Sequence, residues 1–219
     1  MVICGIGTAD EISGAASQSG NIWNGTWESA WYTLFIQQNG SAIEGYYEPF
    51  NLSEHDPGKI QGTLSADGRV FSGISTETGT DTFVISDDQM SYSGVGTVRP
   101  NASPNDPGAF TVNATRTSEL LDPEHPWNGT WKTDHVINIL TQEGNKVTGT
   151  HEPLPGIEDD PGVFVGTVSA GGKTLSGIWT ETGNFNFSIS DDGTFWNGTF
   201  YLAEFPSVEP DDWNAAKIL

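Results

Sequence analysis

The sequence predicts an all-β protein: two small eight-stranded antiparallel meander barrels in tandem. Three observations carry this expectation. The chain is one unit written twice. Each unit is a string of short segments alternating with period 2. Most of those segments place a glycine between two large residues on one face.

The repeat is read first. Trp23-Asn24-Gly25-Thr26-Trp27 returns as Trp127-Asn128-Gly129-Thr130-Trp131, an offset of 104 residues from Trp23 to Trp127. The same offset lays Glu48-Pro49 on Glu152-Pro153 and Asp56-Pro57-Gly58 on Asp160-Pro161-Gly162. It lays Thr76-Glu77-Thr78-Gly79 on Thr180-Glu181-Thr182-Gly183, and Ser86-Asp87-Asp88 on Ser190-Asp191-Asp192. The 219 residues thus divide into an N-terminal arm over 1–20, repeat 1 over 21–118, a linker over 119–125 and repeat 2 over 126–219.

In repeat 1 the alternation predicts strands near 22–28, 31–38, 42–48, 59–65, 69–76, 81–86, 91–97 and 109–116. In repeat 2 it predicts strands near 126–132, 135–142, 146–152, 163–169, 173–180, 184–190, 195–202 and 212–218. Asn39-Gly40, Asp67-Gly68, Gly171-Gly172 and Asp192-Gly193 supply the positive φ of tight hairpins. Parallel pairing needs crossovers, and no segment reads as a helix, so the meander is antiparallel.

Large–x–Gly–x–large recurs, as in Trp23-Gly25-Trp27, Ile43-Gly45-Tyr47, Ile60-Gly62-Leu64, Leu175-Gly177-Trp179 and Trp196-Gly198-Phe200. Residues i, i+2 and i+4 share a face. A belt of glycine allows sharp curvature, with aromatic groups from neighbouring strands filling the space over it. A strongly bent eight-stranded meander closes and loses its edges, hence one barrel per repeat.

The G-x-W of Gly25-Thr26-Trp27 and Gly129-Thr130-Trp131, with the meander layout, resembles the calycin barrels, avidin-like more than lipocalin-like. W-N-G-T-W, Gln38-x-Gly40 and Ser190-Asp191-Asp192-Gly193 resemble an uncharacterised β-repeat of exported archaeal and bacterial proteins. That resemblance implies a surface location and no reaction.

Composition narrows the function. Eight Lys+Arg against 29 Asp+Glu give a formal net charge of -21. Such a chain is repelled by phosphate backbones, which excludes general nucleic-acid binding. No apolar run is long enough for a transmembrane helix. One cysteine rules out an intrachain disulfide. Met1 to Asp10 reads as the remnant of a secretory signal, as a lipid-anchor segment around Cys4, or as an ordinary frayed terminus. Eight N-x-Ser/Thr sequons, at Asn24, Asn39, Asn51, Asn101, Asn113, Asn128, Asn186 and Asn197, are candidate glycosylation sites and a second hint of export. Several of them are copies of one N-G-T motif.

The meander collects chemistry at one mouth of each barrel: Glu48, Asp56 and Glu77 in repeat 1, Glu152, Asp160 and Glu181 in repeat 2. Glu77 and Glu181 continue the inward face, so each is an inward carboxylate near a rim. Three readings stay open. Glu48, Asp56, Glu152 and Asp160 could ligate a hard cation, Ca²⁺. Glu77, Tyr47 and Trp31, with Glu181, His151 and Trp179, could line a small-ligand or carbohydrate pocket. Thr76-Glu77-Thr78-Gly79 could simply be a hairpin turn whose carboxylate takes backbone N–H groups. The three Asp-Pro-Gly runs at 56–58, 106–108 and 160–162 read as turns before strands. His135, His151 and Glu181 form a further metal-type set.

No nucleophile elbow and no zinc-protease helix occurs, so no enzyme is expected. The expected function is that of a non-catalytic exported cell-surface protein with a structural or adhesive role. It would polymerise through its apolar arm, Val2–Ile6. The alternative is a small-ligand or carbohydrate-binding module that uses the barrel mouth, with Ca²⁺. No other cofactor is expected.

Overall fold

The computed structural model describes residues 20–52, 54–103, 105–118, 122–157, 159–202 and 210–218. Residues 1–19 of the expected N-terminal arm and residues 119–121 of the expected linker lie outside them.

The described residues form fifteen strands. Repeat 1 contributes β1 (Gly25–Ser29), β2 (Tyr32–Asn39), β3 (Ala42–Pro49), β4 (Gly58–Leu64), β5 (Val70–Ile85), β6 (Ser91–Thr97) and β7 (Ala109–Arg116). Repeat 2 contributes β8 (Gly129–Lys132), β9 (Val136–Glu143), β10 (Lys146–Pro153), β11 (Gly162–Val168), β12 (Thr174–Ile189), β13 (Phe195–Leu202), β14 (Asp211–Asp212) and β15 (Ala215–Ile218). These strands pair antiparallel, within and between repeats, as the lack of crossover segments requires.

Local structure follows the motifs. In W-N-G-T-W, Trp23 Nε1 donates to Gly68 O at 3.0 Å and Trp27 Nε1 donates to Trp23 O at 3.0 Å. Trp127 and Trp131 repeat this with Gly172 O and Trp127 O. Both indole pairs are fully buried, each with its N–H satisfied. Asn128 Oδ1 accepts from the Gln142 amide at 2.5 Å, standing in for a ladder carbonyl where β8 has not yet begun. Asn24 does the same for Gln38. Asn128→Ala strands the Gln142 N–H. It should lower stability by about 1–2 kcal/mol, read as a lower urea midpoint with an unchanged slope. The expected hairpin glycines Gly40, Gly68, Gly172 and Gly193 all have positive φ.

The expected pair of eight-stranded barrels, one per repeat, is contradicted. The strands make one continuous fifteen-stranded sheet, in the order β12-β11-β10-β9-β8-β7-β6-β5-β4-β3-β2-β1-β15-β13-β14, with β12 pairing β5 and β13 as well. The cause is local. Thr76-Glu77-Thr78-Gly79 has the residue types of a hairpin, but neither Gly79 nor Gly183 takes positive φ, and the chain runs straight on. Segments expected at 69–76 and 81–86 are one strand of 16 residues, and so are those expected at 173–180 and 184–190. These two long strands lie antiparallel from Thr174↔Val84 to Ser188↔Val70.

The exchange that follows is reciprocal. β1 pairs β15, so the first strand of repeat 1 meets the last of repeat 2, while β7 pairs β8. One core packs Trp23, Trp27, Leu34, Tyr47 and Phe71 from repeat 1 against Phe185, Phe187, Trp196 and Trp213 from repeat 2. The other packs Phe83, Tyr92 and Ala114 from repeat 1 against Trp127, Trp131, Phe164, Leu175 and Trp179 from repeat 2. The packed units therefore cross the repeat boundary. Both cores lie on the same face of β5 and β12, one at each end of the long pair, and the middle of that pair lies between them.

Candidate functional site: an acidic centre between the two cores

The middle of the β5–β12 pair is Glu77 opposite Glu181. These residues are equivalent in the two repeats, so duplication plus exchange sets two copies of one glutamate face to face. Directly opposed residues of an antiparallel pair share a face. The row extends across six strands, because Glu77 is level with Gly58 and Gly58 with Tyr47. On the other side Glu181 is level with Gly162 and Gly162 with His151.

Each glycine is a gap under a ring. A Cβ on Gly58 would sit 2.2 Å from Tyr47 Oη, and one on Gly162 would sit 2.6 Å from His151 Nε2. Across these gaps Tyr47 Oη donates to Glu77 Oε1 at 2.8 Å, and His151 Nε2 lies 2.7 Å from Glu181 Oε1.

The Asp-Pro-Gly runs that end in those glycines bring in Asp56 and Asp160. One carboxylate oxygen from each of Asp56, Glu77 and Glu181 lies within 4.8 Å of the others, a group that could hold a metal ion. Asp160 and Asp159 act electrostatically on the same group. The third run does something else: Asp106 pairs with Arg99 at 3.7 Å and accepts from the Gly108 amide.

Burial dominates the electrostatics. Glu181 is pushed up to about 10, first by burial and then by Asp159, Asp160 and Asp56. Burial also holds Glu77 well above the usual carboxylate range, against the lowering effect of the Tyr47 hydrogen bond. Asp56 rises to about 7 and Asp160 to about 6, in both cases first from burial and then from the neighbouring Asp159. Burial lowers His151 and keeps it neutral. Without a cation, the centre therefore holds protons at neutral pH.

The other expected site residues are sorted by strand parity. Tyr47 and His151 point inward, so Glu48 and Glu152 do not. Glu48 forms an ion pair with Arg99 at 2.6 Å, and Glu152 is exposed. His135 is exposed, so the set of His135, His151 and Glu181 does not assemble. Trp31 is 45% exposed and lies 5.9 Å from the His55 ring. Trp179 is buried over Gly79, and its Nε1 has no hydrogen-bond partner among the described residues.

Further participants carry no motif that marks them in the sequence. Tyr32 packs its ring 5.0 Å from Tyr47. Asp81 is raised by burial to about 7, and its Oδ1 has no hydrogen-bond partner among the described residues. Asn138 Nδ2 donates to Tyr92 Oη at 3.0 Å. Asp81 alone leaves a signal: it is an acid on the inward face where repeat 2 has Phe185.

No family model, curated protein or solved structure matches the chain. The resemblances to calycin barrels and to an exported W-x-G-x-W repeat are corrected accordingly. The first also fails on the single sheet. Among the described residues no helix is long and apolar enough to cross a membrane.

Proposed function

We propose that this is a non-catalytic, exported cell-surface protein with a structural or adhesive role, whose two halves are fastened by a divalent cation in the acidic centre. The observation that carries the reading is the meeting of Asp56, Glu77 and Glu181 oxygens within 4.8 Å. These side chains come from both repeats and from both long strands. An ion bound to all three crosslinks the β3–β4 connection of repeat 1 to the β5–β12 pair. Ligation by carboxylate oxygens alone favours Ca²⁺, and an extracellular setting would supply it. The acidity and the exposure of Asn39, Asn101, Asn113, Asn186 and Asn197 support export and glycosylation.

The test is a pair of melting curves at pH 7.5, in EDTA and in millimolar Ca²⁺. Ligand present at 100 times its Kd stabilises by about 2.7 kcal/mol, so Ca²⁺ should raise Tm by several degrees. Glu77→Gln with Glu181→Gln should abolish the rise. Identical curves for the native chain in EDTA, Ca²⁺, Mn²⁺ and Zn²⁺ would remove the cation reading. A second reading rests on Trp31, whose exposed ring beside His55 offers a stacking surface for a sugar. Glycan binding lost in Trp31→Ala would favour it.

A further inference from the structure

The two repeats are related by a pseudo-two-fold axis through the Glu77–Glu181 pair. Val70 faces Ser188, the repeat 2 equivalent of Val84, while Thr174, the equivalent of Val70, faces Val84. The other two ladders between the repeats obey the same axis. Lys217 faces Trp27 and Arg116 faces Trp131. Lys217 follows Asn214-Ala215-Ala216 as Arg116 follows Asn113-Ala114-Thr115, so the two residues are equivalent. Each lays its charge over the facing indole, Arg116 at 4.1 Å from the Trp131 ring and Lys217 at 5.1 Å from the Trp27 ring. Each also donates across the boundary to a backbone carbonyl, Arg116 to Pro126 O at 2.6 Å and Lys217 to Ile22 O at 2.9 Å.

Repeat 1 thus leaves one edge of each of β1, β5 and β7 to be paired by repeat 2. Unpaired edges of this kind are templates for another chain. Covalently the repeats are joined once, through residues 119–125. No contact across the boundary requires that join.

We infer that the partner of this protein is a second copy of itself, bound by exchange of whole repeats. Repeat 1 of one copy takes repeat 2 of another along the same three ladders. Such an exchange costs little, because its contacts are those already made within one chain. The join gives the repeats of one chain an effective concentration on the order of mM, which favours the single-chain form in dilute solution. Exchange takes over where copies are packed to that density. It closes as a two-copy ring or runs on as an open string, since the two repeats of one copy then belong to different junctions. Every junction rebuilds the acidic centre, with the Glu77 side from one copy and the Glu181 side from the next. The inference gives the structural role proposed above a mode of assembly and does not require the cation.

The experiment uses the full chain with Cys4→Ser and a thiol trap on the exposed face of the long pair, where Thr82 Oγ1 and Ser176 Oγ lie 3.2 Å apart. One preparation carries Thr82→Cys, a second Ser176→Cys and a third both. The two single variants are mixed, unfolded in urea with EDTA, refolded at ~1 µM or at ~1 mM, below and near the effective concentration of the join, and oxidised. The concentrated mixture should give disulfide-linked dimers of the two different variants, at least ~10-fold more than the dilute one. Either variant refolded alone should give none. The double variant refolded dilute should crosslink within one chain, which checks the trap. Light scattering of the native chain refolded at ~1 mM provides a reading free of substitutions, and masses of two chains and more are expected. A native chain that keeps single-chain mass there, or mixed crosslinks no more abundant than same-variant ones, overturns the inference. Either result leaves the cation reading, tested by melting, untouched.

Discussion

Gly73→Ala should lower stability by at least about 3 kcal/mol, while Gly171→Ala should leave it within about 0.5 kcal/mol. Gly73 faces Gly62 across β4–β5. A Cβ on Gly73 would lie 2.1 Å from Gln61 O and 2.8 Å from the Phe185 ring. One on Gly62 would lie 2.1 Å from Ser72 O. The obstructing atoms are mostly backbone, so no rotamer change relieves the clash and the two strands must separate. Phe185 adds to the effect, because it belongs to repeat 2 and its ring fills the space over Gly73. The change therefore strains the exchanged core as well as one ladder. At Gly171 nothing lies within 4 Å of a new Cβ, and φ there is not positive. Urea denaturation compares the two. A Gly73→Ala protein as stable as the native one would show that close glycine contacts do not hold the sheet.

Those contacts are legible in the amino-acid pattern. Large–x–Gly–x–large puts glycine on the packed face, and glycine does lie there, beneath aromatic rings at Gly73, Gly177 and Gly198. Turn positions are also legible, because positive φ selects residue types over a span of two. Whether Thr76-Glu77-Thr78-Gly79 bends is not legible. Thr favours strand and Gly permits a turn, so local chemistry is balanced there. The choice is made by pairing with β12, about a hundred residues away. Two similar units can pair within themselves or with each other using the same contacts, so the repeat itself hides the exchange.

The site is half legible for the same reason. Glu77 and Glu181 are recognisable as inward acids, and Tyr47 and His151 as their neighbours. Taken repeat by repeat they fall at two separate mouths, and the exchange makes them one row. Glu48 and Glu152 differ from the true lining by a single position, which in a strand is the opposite face. The aspartates of Asp-Pro-Gly have the chemistry of turn residues. The pattern has a further reason at 56–58 and 160–162, where Pro-Gly leads into the strand and leaves the ring of Tyr47 or His151 room over the glycine, with the aspartate at the centre.

Stability of the cation-free protein should fall as pH rises from about 4 to 9, the reverse of most acid-sensitive proteins. Asp56, Asp160 and Glu181 bind their protons more tightly folded than unfolded, with folded values of about 7, about 6 and about 10. Below the unfolded carboxylate range, near pH 4, these groups are protonated in both states and their contribution is fully present. As pH rises the unfolded chain ionises first, and the folded centre must follow at a penalty. Stability is lost through about 6, then about 7, then toward 10. Asp56 alone, moved from the ordinary aspartate value to about 7, corresponds to about 4 kcal/mol. Asp192, lowered to about 2 by its hydrogen bonds with Ser190 and Thr194, has the opposite sign but acts only below about pH 4. Calorimetric Tm in EDTA should therefore decline steadily between pH 5 and 9. A saturating divalent cation should remove most of the decline, since the ionised carboxylates then have a partner and protons are displaced on binding. A Tm in EDTA that is flat or rises over that interval would mean the acids are solvated, and the buried centre would have to be abandoned.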